Sequence, residues 1–516
     1  MRSFLPSVTD LVFLVLLVSL SCGVLAPRLL GDGGIGWHIR NGEQMLRLHA
    51  VTRNDPFSST MQGHAWYAWE WLYDLLIARI HQGMGLNGVV FFTALVIAGT
   101  FAFALRLTLA RGGNLPLTLI LLALVVGASA IHLFARPHVL SWLLVVIWFE
   151  RLDSWDRAVH RAPDRSLFWL PVLMLVWVNL HGGFLTGFIL LGLYLAGSCL
   201  RSLTAPESGE RQVAGKRVRF LGMITLLSLA ATLANPYGYK LHVHVFEYLS
   251  NRFLMNHIEE FLSPNFHGWA EQCFALLLGI TMIALAAQRE KPRPSLLLVI
   301  LFAAGSGLYA SRNLPVSSIL LLLGVTPILS RAAAGAGTHG ELASWLRRWF
   351  SRFESFASRM TRTELSLRGH GWPVLGVVLG LGICAHGGRL GSWQILDAHF
   401  SAQRFPVLAT DEIARRGIQA PIFCPDFWGG YLIYRLYPQT PVILDDRHDL
   451  YGEPFFKNYL KVVRGEPGWE GVLVEERADW ALVPAESTLA NLLSERPEWT
   501  TVYRDTVAVL YRRSSR

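Results

Sequence analysis

Charge is scarce in this sequence: Asp, Glu, Lys and Arg supply 16% of the 516 residues, where a soluble globular protein carries about 25%. That shortfall argues against an aqueous globular enzyme. Cysteine is scarcer, with five in the whole chain, which excludes a disulfide scaffold. No P-loop, C-x-x-C or H-E-x-x-H run occurs, so nucleotide-cradling, thioredoxin-like and zinc-protease readings have no basis in the sequence. The long apolar runs hold almost no ionisable residues, whereas transporters place such groups near the bilayer midplane.

What is present is apolar. Hydrophobic residues make up 52% of the chain, mean hydropathy is +0.37, and there are 18 Trp and 28 Phe. That composition rules out disorder and suggests aromatic belts at a membrane surface. The net charge of +9 is unevenly spread: residues 1–388 hold 31 basic against 20 acidic side chains, and residues 389–516 hold 15 against 17. The positive excess lies between hydrophobic segments, so no nucleic-acid partner is expected.

Eleven stretches suit membrane helices, judged over windows of about 19 residues. They centre on 11–30, 87–109, 116–134, 139–150, 167–179, 184–200, 219–234, 269–287, 295–311, 314–330 and 372–390. With the N-terminus inside, the inner loops carry 22 Lys and Arg and the outer loops nine. This asymmetry predicts a multi-pass protein of the inner (plasma) membrane, with a cytoplasmic N-terminus and an extracytoplasmic tail. The first segment also shares features with a signal peptide, namely Arg2 and Val24-Leu25-Ala26. Its apolar run is longer than a usual signal core, and it is read as a retained helix. Two domains are expected: 1–390, spanning the membrane, and 391–516, soluble.

The outer segments hold the chemistry. Fourteen of the 17 His fall there or in the tail. The first loop, residues 31–86, is too long for a mere connector. Trp66, Trp69, Leu72, Tyr73, Leu76 and Ile80 have the spacing of one face of an interfacial helix, with Glu70, Asp74 and His81 on another. Shorter outer junctions present Arg136 and His138, Asn179 and His181, Asn235 to Lys240, and Arg312. The inner loop 331–371, with seven Lys and Arg plus Trp345 and Trp349, reads as an amphipathic helix on anionic lipid. The tail alternates helical patterns (407–417, 454–464, 487–496) with β-rich runs (422–424, 442–444, 480–483, 507–511), predicting a small α/β domain. Asp445, Asp446 and Arg447 follow one of those runs, near the Gly-Gly of Asp426-Phe-Trp-Gly-Gly-Tyr, and form a candidate ligand site.

The runs Asp32…Trp37-His38-Ile39…Gly42-Glu43, Asn54-Asp55-Pro56-Phe57-Ser58, Glu70-Trp71-Leu72, Trp177-Val-Asn179-Leu-His181-Gly-Gly, Asn235-Pro236-Tyr237-Gly238 and Asp445-Asp446-Arg447 resemble a group of bacterial membrane proteins near the GT-C glycosyltransferases. The GT-C group includes oligosaccharyltransferases, protein O-mannosyltransferases and aminoarabinose transferases. The resemblance spans most of the chain. It implies a GT-C-like bundle of about 11 helices with an outer α/β domain. It further implies inverting sugar transfer from a polyprenyl-phosphate carrier to a glycan, lipid or protein acceptor in the cell envelope.

A phosphate leaving group needs little acid assistance, so one carboxylate base suffices. Asp32 is the candidate base, with Glu70 or Asp55 assisting. Arg136 and Arg312 are candidates to hold the phosphate, and His38, His138, His181 and Lys240 to line the substrate site. A divalent cation, Mg or Mn, could be held by Asp32, His38 and His181. Each residue also has a structural reading. Asp32 could cap the next helix, Asp55 could belong to an Asn-Asp-Pro turn, and Glu70 could lie on a solvated face. His38 and His181 could be hydrogen-bonded fixtures, Arg136 and Arg312 could snorkel to headgroups, and Asp445, Asp446 and Arg447 could form an ion-pair turn. Two other function classes stay open: a non-catalytic scaffold for envelope polysaccharide that keeps the same fold, and a transporter of lipid-linked sugar.

Overall fold

The computed structural model describes residues 4–23, 25–158, 165–204, 207–288, 290–336 and 343–514. Each of the eleven apolar stretches forms a helix: Val8–Ser21, Trp71–Ala110, Leu115–Ser129, His138–Arg157, Trp169–Leu180, Phe184–Thr204, Ser208–Thr232, Trp269–Ala287, Pro294–Tyr309, Leu314–Ala336 and Gly371–Ala385. Among the described residues five helices are long and apolar enough to cross a membrane, or six if the bent pair Ser344–Ser366 and Gly371–Ala385 is one span. The protein is a multi-pass membrane protein with a helical bundle and a small C-terminal α/β unit.

Local chemistry explains the helix boundaries and the tolerance of polar residues inside the bundle. Ser7 and Asp10 form a reciprocal capping box at the start of Val8–Ser21. The Glu364 carboxylate, from the basic helix Ser344–Ser366, accepts from the backbone N–H groups of Val8 and Thr9 at 2.7 and 3.0 Å. A negative charge at a helix N-terminus is stabilising, so the predicted interfacial helix is fixed to the first span. Thr93, Thr100 and Thr108 each donate to the carbonyl four residues back, which satisfies these three hydroxyls within the apolar core. Trp142, Trp148 and Trp177 are fully buried. This part of the tryptophan content therefore packs the core and does not form a belt.

In the first loop helical structure begins at Trp71, so Trp66 and Trp69 of the expected face precede it, and Gly85, with φ +59° and ψ −157°, breaks this helix from the second span, which runs on to Ala110. Ahead of it, Ile35–Leu48 forms a helix that packs on this long one. At their crossing Gly42 sits against the Asp74 carbonyl, where a Cβ would come within 2.0 Å.

In the tail, helices Val407–Arg416, Asp426–Leu436, His448–Arg464, Trp469–Glu475 and Thr488–Ser494 surround a four-stranded sheet. Strand Ile422–Phe423 runs parallel to Trp480–Pro484, which pairs antiparallel with Ala508–Arg513, and that strand pairs antiparallel with Trp499–Arg504. The expected strand at 442–444 is reduced to bridges from Val442 to Ile422 and to Ser58 of the first loop. The tail and first loop therefore share backbone pairing, and one continuous apolar core runs from bundle to tail. Of the sequence features named above, Arg2, Val24 and the inner segments 159–164, 205–206, 289 and 337–342 lie outside the described residues.

Candidate active site

Four glycines determine how closely the tail approaches the bundle. Gly31-Asp-Gly-Gly-Ile-Gly36 has G-x-G-x-x-G spacing, yet it follows a membrane helix and not a strand, so the dinucleotide context is missing. Its glycines serve contact instead. A Cβ on Gly36 would lie 2.2 Å from the carbonyl oxygen of Gly430, and one on Gly430 would lie 2.4 Å from that of Gly33. A Cβ on Gly34 would lie 2.5 Å from an Asp446 oxygen. The two glycine runs thus form one joint, which brings Asp446 to the first loop.

At that joint Arg136 Nη1 donates to Asp32 Oδ2 at 2.9 Å and stands 3.2 Å from Asp446 Oδ2. The second oxygen of Asp32 accepts from Gly34 N–H at 2.7 Å, and Trp37 Nε1 donates to Asp446 Oδ1 at 2.9 Å. Burial, together with the nearby Asp32 and Asp445 charges, pushes the Asp446 carboxyl up to about 7 despite Arg136. The Asp32 and Arg136 side chains remain 24% and 26% exposed, so this pair is open to a ligand.

Helix Ile35–Leu48 carries the next group. His38 Nδ1 and Asp74 Oδ1 are hydrogen-bonded at 2.6 Å, and Asn41 donates to the other Asp74 oxygen at 2.6 Å. His38 Nε2 is buried with no hydrogen-bond partner and faces Glu70 Oε2 at 3.7 Å. From the opposite side His181 Nε2 faces Glu70 Oε1, also at 3.7 Å. The Gly183 N–H donates to His181 Nδ1 at 3.0 Å, which leaves the ring proton of neutral His181 on the nitrogen facing Glu70. Ser141, itself accepting from Trp177, completes the support of that ring at 2.8 Å. Burial raises the Glu70 carboxyl to about 8, with Asp449 and Asp446 adding to the shift and Arg136 opposing it. Burial also holds both imidazoles well below their usual range. Glu70 is therefore a protonated acid between two neutral imidazoles at neutral pH.

The remaining expected residues separate. Asp55 is buried, accepting from Phe57 N, Ser58 N and Ser58 Oγ, and pairs with Arg447 Nη1 at 2.8 Å. Arg447 is also held by Asp445 through two bonds of 2.7 and 2.6 Å and lies 4.4 Å from the Trp66 ring centre. Asp445, Arg447 and Asp55 thus form a closed internal clamp between tail and first loop, and of the tail trio only Asp446 reaches the open pair. Arg312 pairs with Glu260 at 3.3 Å over the Phe261 ring. His138 Nε2 bonds the His132 carbonyl at 2.8 Å, with its ring 6.5 Å from that of His181. Lys240 is exposed at the first residue of helix Lys240–Ser250.

Asp74 and Ser141 were not assigned in the sequence as supports of a histidine, nor Glu260 as the partner of Arg312. A cation held by Asp32, His38 and His181 does not suit this arrangement. Asp32 pairs with Arg136, both histidines face Glu70, and Arg136 Nη1 already takes up the two neighbouring carboxylates, Asp32 and Asp446. Among the described residues no group of three or more His, Cys, Asp or Glu is arranged to hold a metal ion.

No family model and no curated protein matches the chain. Solved structures do. The chain is similar to the oligosaccharyltransferase of Archaeoglobus fulgidus crystallised with a tethered acceptor peptide containing the NVT sequon. Identity is 11%, the match covers 98% of this chain and 74% of that one, and the TM-score is 0.54. The apo form of that enzyme matches at 11% identity over 93% of this chain and 69% of that one, with a TM-score of 0.53. ArnT from Cupriavidus metallidurans bound to undecaprenyl phosphate is 14% identical over 98% of this chain and 96% of that one, at a TM-score of 0.48. The chain has a GT-C-like fold.

Proposed function

We propose that the protein is a membrane glycosyltransferase. It moves a sugar from a polyprenyl-phosphate carrier to an acceptor glycan, lipid or protein on the extracytoplasmic face of a bacterial inner membrane. The observation that carries this reading is the Asp32–Arg136 pair, a carboxylate and a guanidinium 2.9 Å apart and each about one quarter exposed. A carrier phosphate binds Arg136 through charge-assisted hydrogen bonds, aided by Arg312, and so frees the Asp32 oxygen that Arg136 holds. Asp32 takes the acceptor proton as the acceptor oxygen bonds to the anomeric carbon. The bond from that carbon to the phosphate oxygen breaks with its electrons going to the phosphate, and the configuration inverts. Protonated Glu70, steadied by His38 and His181, donates a hydrogen bond that orients the acceptor. No step passes through a metal.

The test is transfer by purified, folded Asp32→Asn from a synthetic polyprenyl-phosphate sugar. A lost base costs roughly 10² to 10⁴-fold in rate, whereas a lost cap costs about 1 kcal/mol of stability and leaves turnover intact. Parental turnover in the variant would remove Asp32 as the base, and absence of transfer by the folded parent protein would move it to the scaffold class.

A further inference from the structure

The end of the bundle opposite the candidate site contains a second cluster of charge. Helices that start beside the site, Trp71–Ala110, His138–Arg157 and Leu314–Ala336, finish there, and Pro294–Tyr309 starts there. Two aspartates on the last turns of His138–Arg157 collect one arginine from their own helix and four from other segments. Asp153 faces Arg293 at 2.6 Å, Arg157 at 3.1 Å and Arg111 at 3.6 Å. Asp156 faces Arg293 at 2.5 Å, Arg201 at 2.9 Å and Arg217 at 3.9 Å, and accepts from Ser295 at 2.6 Å. Five guanidiniums thus share two carboxylates.

Such an excess inside a protein calls for anions from outside. The mismatch is sharpest at Arg111, whose side chain is 5% exposed and whose Nη1 is buried without a hydrogen-bond partner. A cavity of about 430 Å³ opens on Arg111, Arg157 and Arg293 and is also lined by Lys291, Arg331 and Glu290. Its other wall is apolar, formed by Leu296, Leu323, Pro327 and Ile328. A small inorganic anion would leave that wall unused.

This end also lies at headgroup level. The helix Ser344–Ser366, fixed here through Glu364 to Val8, presents Trp345 and Trp349 with 63% and 56% of their surface exposed, as an interfacial helix does. Basic pockets between membrane helices at this level bind lipid phosphates, and guanidiniums match phosphate oxygens in pairs.

We propose that this cavity binds the phosphate-ester headgroup of an anionic membrane lipid. The phosphate lies on Arg111 and Arg157, and the first methylenes of its chain lie against Leu296, Leu323 and Ile328. The site is separate from the transfer site and does not depend on the reaction proposed for it.

Native mass spectrometry of the purified full chain, titrated with phosphatidylglycerol, phosphatidylcholine and inorganic phosphate, tests the proposal. Phosphatidylglycerol should bind at least tenfold more tightly than phosphatidylcholine. Arg111→Gln should weaken it about tenfold. Because a buried arginine is a risk to folding, Lys291→Gln combined with Arg331→Gln, both at exposed positions outside the aspartate pairs, should weaken it by a similar factor. Equal binding of the two lipids, undiminished binding in the folded double variant, or displacement of phosphatidylglycerol by equimolar inorganic phosphate would each overturn the lipid site.

Discussion

Asp446 of the tail stands 3.2 Å from Arg136 Nη1 of the bundle, the same nitrogen that donates to Asp32 at 2.9 Å. Two carboxylates therefore compete for one cation, and burial shifts the inner one up to about 7. Replacing Asp446 with Asn keeps the Trp37 bond but removes the competing charge. Arg136 should then bind the carrier phosphate at least as tightly as in the parent. Arg136→Gln should weaken that binding by roughly 1.5 to 3 kcal/mol, the value of a hydrogen bond to a charged group. Titration with polyprenyl phosphate distinguishes the two directions.

Glu70 makes a pH prediction. Its carboxyl is raised from 4.5 to about 8, so between those values the folded protein keeps a proton that the unfolded chain has released. Stability must then fall as pH rises, with a limiting slope of about 1.36 kcal/mol per unit. Asp446 adds a similar slope up to about 7. Melting of the detergent-solubilised protein should show Glu70→Gln flattening the decline, most cleanly between pH 7 and 8. A parental curve unaffected by the substitution would place Glu70 in water.

The clamp should matter more to folding than to chemistry. Asp55→Ala leaves Arg447 buried with one carboxylate fewer, and breaking a buried pair costs about 3 to 5 kcal/mol. Thermal unfolding should show the loss, with the tail becoming protease-sensitive first.

The glycine joint gives a sharper contrast. Gly430→Ala drives a Cβ to 2.4 Å from the Gly33 carbonyl, and overpacking of this kind costs roughly 1 to 3 kcal/mol. Gly83→Ala, on the long second helix with nothing within 4 Å of the new atom, should leave stability and transfer unchanged. Parallel assays of both variants, folded, should show transfer lost only in the first.

Orientation follows from charge. The 22 to nine asymmetry of basic residues predicts that a periplasm-dependent reporter fused to the C-terminus is active and that its cytoplasm-dependent counterpart is silent.

Much of this architecture was legible in the sequence. Apolar runs mark their own helices because a bilayer demands length and hydrophobicity together: each of the eleven expected stretches lies on a helix, although among the described residues five of those helices, or six with the bent pair, have the length and hydropathy of a span. Sequence patterning was less informative for contacts across great separations. Glu70 and Asp74 are one helical turn apart and share a face, which suggested a common environment. Both do face one imidazole, that of His38, 36 residues before Asp74, and no local period encodes that partner. Asp445, Asp446 and Arg447 looked like one site because they are adjacent. On irregular backbone neighbouring side chains diverge, so Asp445 and Arg447 close on Asp55 while Asp446 crosses to Arg136.

The bridge between Ser58 and Val442, with Ser59 N–H bonded to the Val442 carbonyl at 2.8 Å, has a consequence for biogenesis. During synthesis the first loop emerges 383 residues before that partner, and Asp55 waits longer still for Arg447. A nascent chain therefore carries Asp32 and Arg136 through membrane insertion without Asp446, and their surroundings are completed only when the last quarter of the polypeptide docks. Chains cut short by proteolysis or an early stop lack both Asp446 and Arg447, so Arg136 keeps a single carboxylate partner and Asp55 has no cation to close on.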